Sequence, residues 1–196
     1  MPQTPKANDP IGVFDSGLGG LTVVKQIIQF LPNERIVYFG DTARVPYGTK
    51  SKETIIRYSR EIVKVLLARK VKVIVIACNT ASALALDELA GEFKVPIIGV
   101  IGPGARKAAL STKLQKVGII ATSSTVKSGA YAAHINKVNP KIKVFSKACP
   151  LFVPLVEEGW FNHEVTYKVA GEYLAGIKKA GVDTLILGCT HYPLLK

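Results

Sequence analysis

Apolar runs of strand length alternate with segments of helical period along nearly the whole chain. "IGVF" (11–14) is followed by "LTVVKQIIQFL" (21–31), in which Leu21, Val24, Ile28 and Leu31 fall on one helical face. "IVYFGD" (36–41), a loop over 42–51 and a helical pattern over 52–69 come next. "VKVIVIA" (71–77) reads as a strand buried on both faces, then a helix over 80–91, then the strand "VPIIGV" (95–100). "GPGARKAAL" (102–110) opens another helix. Strands follow at 116–121, 141–146 and 183–188, and helices at 125–138 and 163–180. Strand–helix alternation with near-continuous apolar strands predicts an α/β fold with parallel sheets and right-handed crossovers.

The 196 residues suit one large or two small domains. A hydrophobic content of 48% supports a core, and 20% charged residues argues against widespread disorder. No apolar run reaches membrane-span length, and the polar, Pro-rich "MPQTPKANDP" lacks the apolar centre of a signal peptide. It reads as a loose lead-in, and a cytoplasmic location is expected. The three cysteines form no CxxC pair and no disulfide framework, so free thiols are expected. The net charge of +12 favours contact with anions, but the Lys and Arg residues are scattered. That pattern gives nucleic-acid binding no support.

Two strands end alike. "VIVIACNTAS" (73–82) and "TLILGCTHYP" (184–193) each run from apolar residues into a cysteine and then polar side chains. "IGVFDSG" (11–17) is echoed at a similar interval by "VGIIATS" (117–123). The repeat predicts two pseudo-symmetric lobes, residues 1–99 and 100–196, each a mostly parallel sheet flanked by helices. Ligands of α/β sheets bind at the carboxyl ends of strands. Two lobes meeting at those ends would set Cys78 and Cys189 across a cleft.

A thiol at a helix start can have its pKa lowered by the helix N-terminus and act as a base. A protonated thiol on the far side acts as an acid. Together they can invert a stereocentre without a cofactor, exchanging roles in reverse. "DSGLGG" (15–20) and "CNTAS" (78–82) offer backbone N–H groups for a carboxylate. Asp15 and His191 could hold or relay protons, and Tyr47 and Gly48 could close over a ligand. Cys149, in "KACPLF", is read as structural, and His134 and His163 as surface residues of helical segments. No metal site is expected, because Cys189-Thr190-His191 has poor chelate spacing and lacks a second ligand pair.

"GVFDSGLGGLTV", "YFGDTARVPYG", "ACNTASA" and "GCTHYPLL" together resemble the glutamate racemase family, of the cofactor-independent aspartate/glutamate racemase superfamily. The likeness extends from Ile11 to Leu195. It implies an isomerase that makes D-glutamate from L-glutamate for bacterial peptidoglycan, with no pyridoxal phosphate or other cofactor. Carried over, Cys78 and Cys189 are the acid/base thiols, assisted by Asp15 and His191 respectively. Asp15, Ser16, Tyr47, Gly48, Asn79, Thr80, Thr190 and His191 bind or frame the substrate, with Glu157 as an accessory acid. The resemblance also implies a homodimer, and a C-terminal return segment, absent from this chain, that completes the first lobe. It brings DNA gyrase and nucleic acid into view as partners, against which the scattered charge speaks.

Overall fold

A computed structural model describes residues 6–195; the lead-in over residues 1–5 and the final Lys196 lie outside the described residues. The chain divides into two compact units, one through Val100 and one from Ile101. Each has an all-parallel sheet with helices against it.

The first unit runs β1 (Ile11–Asp15), α1 (Leu21–Phe30), β2 (Ile36–Gly40), a single 3₁₀ turn (Tyr47–Thr49), α2 (Lys52–Ala68), β3 (Val73–Ile76), α3 (Asn79–Leu84), α4 (Leu86–Glu92) and β4 (Ile97–Gly99). Its strand order is β2-β1-β3-β4. The central strand β1 is buried at every position, as a strand covered on both faces must be. On one side Phe14, Ile74 and Ile76 pack with Ile55, Ile62 and Leu66 of α2 and Leu89 of α4. On the other, Ile11 and Val13 meet Val24, with Val23 and Ile27 against them. Ser51 caps α2, its hydroxyl accepting from Thr54 N–H.

The second unit runs α5 (Ile101–Ser111), β5 (Lys116–Ala121), α6 (Ser123–Lys127), α7 (Ala130–Val138), β6 (Lys143–Ala148), α8 (Phe152–Glu157), α9 (Glu164–Lys179), β7 (Thr184–Gly188) and a 3₁₀ turn (Tyr192–Leu195). Its strand order is β6-β5-β7. The internal echo therefore extends to topology. β1 and β5 are central, β2 and β6 flank them on one side, and β3 and β7 on the other. Each thiol motif follows the strand on that last side.

Three expectations need correction. α1 turns Val23, Val24 and Ile27 to the sheet, while Leu21, Ile28 and Leu31 are exposed. The segment is apolar on more than one face, and periodicity alone could not choose between them. The helix expected over 80–91 is two helices broken at Ala85, and that over 125–138 is two broken at Ser128–Gly129. α8 was not anticipated; Pro150 and Pro154 mask its short apolar pattern. Among the described residues no helix is long and apolar enough to cross a membrane.

Candidate active site

The register of the first sheet gathers the first cluster. Phe14 pairs with Ile76, so Asp15-Ser16 and Ala77-Cys78 leave adjacent strands side by side. The Ala77 N–H donates to the Phe14 carbonyl, which carries the pairing one residue beyond β3. Cys78 is the N-cap of α3: its sulfur accepts from Ala81 N–H at 3.5 Å, and it lies 3.7 Å from Ser16 Oγ. Asn79 and Thr80, in the first turn of α3, are buried beside it.

Asp15 is wholly buried, and its Oδ2 accepts from Gly17 N–H at 3.1 Å and Gly20 N–H at 3.0 Å. A side chain at Gly20 would put its Cβ 2.4 Å from Asp15 Cβ, so this turn of "GLGG" requires glycine. Burial first, and then the negative charge of Asp15, push the Cys78 thiol up to about 12. The Ala81 and Ser16 hydrogen bonds pull the other way and lose. The sequence argument that a helix N-terminus lowers this pKa is therefore corrected: the local effect is present, and tertiary burial outweighs it.

Tyr47 is 1% exposed, and its hydroxyl is hydrogen-bonded to Asp41. Its phenol is thus held inside the unit, with its pKa raised by burial and by Asp41. Any ligand contact from Tyr47-Gly48 falls to the backbone rather than the phenol. Arg44 secures this loop. Its Nε lies 2.7 Å from Asp41, its Nη1 donates to Glu61 of α2 at 2.5 Å, and its guanidinium sits 4.2 Å over the Tyr58 ring.

The second cluster follows β7. Gly188 pairs with Ala121, which sets Cys189 next to Thr122. Thr122 caps α6, accepting from Thr125 N–H at 3.3 Å, with the two hydroxyls 3.0 Å apart. Cys189 is buried, with His191 Nδ1 3.7 Å from its sulfur and 3.4 Å from Thr190 Oγ1. His191 Nε2 meets Glu157 Oε1 at 2.5 Å. A carboxylate at that distance calls for a proton on Nε2, and in that tautomer Nδ1 is the nitrogen that can accept from the thiol. Cys189, His191 and Glu157 thus lie in one continuous row of polar contacts.

The structure gathers Asp15, Ser16, Cys78, Asn79 and Thr80 in the first unit, and Glu157, Cys189, Thr190 and His191 in the second. Cys149 belongs to neither thiol motif but lies beside the second, one strand away across β5. It follows β6, is fully buried, and burial pushes its thiol up to about 12. Its carbonyl accepts from the Tyr192 hydroxyl at 2.8 Å, a structural duty. His163 caps α9 through Nδ1, accepting from Val165 N–H at 3.2 Å. Sequence reasoning missed Tyr38, Asp41 and Arg44. The available signal for Tyr38 was its period-two spacing from Gly40 on the strand beside Asp15. Among the described residues no group of three or more His, Cys, Asp or Glu is placed to hold a metal ion.

Comparison with known proteins matches residues 11–196 to the model of the Asp/Glu/Hydantoin racemase family. A glutamate racemase of Geobacter metallireducens is 59% identical over 186 residues, covering 95% of this chain and 69% of that protein. Among solved structures, a glutamate racemase isoform from Bacillus anthracis superimposes with a TM-score of 0.93 at 43% identity, covering 97% of this chain and 71% of that one. The glutamate racemase from Francisella tularensis, solved in complex with D-glutamate, matches with a TM-score of 0.88 at 48% identity, covering 96% and 70%.

Proposed function

This chain belongs to the Asp/Glu/hydantoin racemase family, and on that premise we propose that it interconverts L- and D-glutamate by a two-thiol, cofactor-independent mechanism. The observation that carries the reading is that each unit ends a corresponding strand in a buried thiol with its own ionisable neighbour. Cys78 has Asp15, and Cys189 has the His191–Glu157 pair.

The chemistry follows from those neighbours. Neutral His191 takes the Cys189 proton on Nδ1, and Glu157 stabilises the imidazolium that forms. The Cys189 thiolate removes the α-proton of glutamate, and the electron pair of the C–H bond passes into the α-carboxylate. Cys78, protonated because burial and Asp15 disfavour its thiolate, delivers its proton to the opposite face of the α-carbon. The reverse reaction exchanges the roles, with the developing charge on Cys78 balanced by the Ala81 N–H and Ser16. Donors around the carboxylate are the polar residues opening α3 and the 15–20 loop, with Thr190 from the second unit. The reading requires both thiols to reach opposite faces of one α-carbon.

We assign Asp15, Ser16, Tyr47, Gly48, Asn79, Thr80, Thr190 and His191 to substrate binding. Peptidoglycan is the destination of the D-glutamate, the cytoplasm the place, and a homodimer the assembly. Relatives support the substrate assignment, since the Francisella protein was solved with D-glutamate.

The test is incubation with L-glutamate in D2O without added cofactor, following the α-proton by NMR and the enantiomers by chiral chromatography. Deuterium entry with D-glutamate formation is expected, and Cys78→Ser and Cys189→Ser should each abolish turnover. Normal racemisation by Cys189→Ser overturns the two-thiol mechanism. Faster turnover of aspartate than of glutamate overturns the substrate assignment.

A further inference from the structure

Asp15 and Ser16 lead into residues 16–20, a loop with no helix or strand of its own. Its internal bonds, Gly17 and Gly20 N–H to Asp15 Oδ2, tie loop and carboxylate to each other. Asp15 itself ends β1, and α1 takes the far end of the loop, with Thr22 donating its N–H and hydroxyl to the Gly19 carbonyl. β2 adds a side-chain hold on the middle of the loop. Tyr38 donates its phenol O–H to the Gly17 carbonyl at 2.5 Å. Tyr38 and Gly40 lie on one face of β2, and Gly40 pairs with Asp15. A Cβ on Gly40 would come within 2.7 Å of that same carbonyl oxygen, so the strand leaves room for it only by lacking a side chain there.

Gly17 is therefore gripped at both ends, its N–H by Asp15 and its C=O by Tyr38. A Cβ on Gly20 would lie 2.7 Å from the Tyr38 hydroxyl as well as against Asp15, so phenol, turn and carboxylate form one close-packed group. Partial burial and the nearby charge of Asp15 disfavour the phenolate, which keeps the O–H a donor.

We propose that Tyr38 is a positioning residue for the reaction: through the Gly17 carbonyl it fixes the 15–20 loop, and with it the Asp15 carboxylate and the Ser16 hydroxyl beside Cys78. Tyr38 does not touch the reacting atoms. Its loss should weaken ground state and transition state alike, because the loop's substrate contacts form in both. The kinetic part of the inference rests on the racemase reading; the hold on the loop does not.

Tyr38→Phe removes only the hydroxyl. In the full chain, amide hydrogen exchange at Gly17 and Gly20 should quicken about tenfold, with β5 amides in the other unit unchanged. KM for both glutamate enantiomers should rise about tenfold while kcat stays within about threefold. Unchanged exchange at Gly17 and Gly20 overturns the proposal. So does an equal fall in kcat with KM unmoved. Should the variant fail to fold, the parent chain still decides. A Tyr38 hydroxyl proton that exchanges slowly, read as an H/D isotope shift on its ring carbon, supports the hydrogen bond, and rapid exchange overturns it. A parent chain that racemises neither acid but shows the exchange difference overturns the racemase reading and upholds Tyr38's hold on the loop. An active parent with unaltered Tyr38→Phe kinetics overturns the role of Tyr38 in the reaction alone.

Discussion

Cys78 is where local and tertiary effects oppose each other. As N-cap of α3 it accepts from a backbone N–H, yet burial and the Asp15 charge push its thiol up to about 12. At pH 8 the protonated thiol is therefore the dominant form. Asp15→Asn removes the opposing charge and should speed iodoacetamide alkylation of Cys78 about tenfold at that pH, measured by peptide mass spectrometry. An unchanged rate would mean that burial alone sets the thiol. On the other thiol, Glu157→Gln should lower kcat about ten- to a hundredfold, because His191 loses the carboxylate that orients it and balances its charge. An unaltered pH–rate profile in that variant would remove Glu157 from that role. Cys78, Cys189, Asp15 and His191 were legible in the sequence because each stands where an apolar strand gives way to polar residues. The bond from His191 to Glu157 was not legible. It joins positions far apart in sequence, and only the packing of α8 beside the 192–195 turn brings them together.

At the scale of elements, the 41–50 loop has one 3₁₀ turn and is otherwise held by side chains. Arg44 joins Asp41, Glu61 and the Tyr58 face, and Asp41 in turn holds Tyr47. Arg44→Met should raise KM for glutamate about tenfold, since the Tyr47-Gly48 backbone loses its tie to α2; steady-state kinetics on both enantiomers checks this. The loop between α5 and β5 is anchored by Asp183, whose carboxylate accepts from Thr112 Oγ1 at 2.5 Å, Lys113 N–H at 2.6 Å and Leu114 N–H at 2.8 Å. These bonds lower its pKa, the Thr112 hydroxyl foremost. A carboxylate held below its unfolded value stabilises the fold above that unfolded pKa, and the contribution is lost as pH falls through the folded one. Asp183→Asn should therefore melt lower at neutral pH, and the difference should close as pH falls below the ordinary carboxylate range, as thermal denaturation against pH would show. The helices show where pattern reading stops. Strand positions were readable from continuous apolar runs. The break at Ser128–Gly129 falls on a glycine at positive φ, a local signal; the break at Ala85 and the face α1 buries were not readable from periodicity.

For the whole molecule, the repeated topology is the main fact: two parallel sheets, each with its central strand flanked in the same sense and each followed by a thiol. Each sheet needs its own core. Ile62 of α2 lies 1% exposed in the first, in one core cluster with Phe14 of β1 and Ile74 and Ile76 of β3. Ile62→Ala should cost about 2–5 kcal/mol, read from urea unfolding, with early loss of amide protection in residues of the first unit. A loss well below that range would mean the cavity collapses.

The sequence by itself determined the fold class, the echo between the two halves, and the strand-end cysteines. These follow from periodicity and from the order of apolar and polar residues, which are properties of the chain read in line. Tertiary structure alone decided the protonation state of Cys78, the interior fate of the Tyr47 phenol, the Glu157–His191 contact and the grip of Tyr38 on Gly17. The physical reason is common to all four. Desolvation, charge proximity and hydrogen bonding depend on distance in space, which sheet register, helix packing and the folding of the 41–50 loop set.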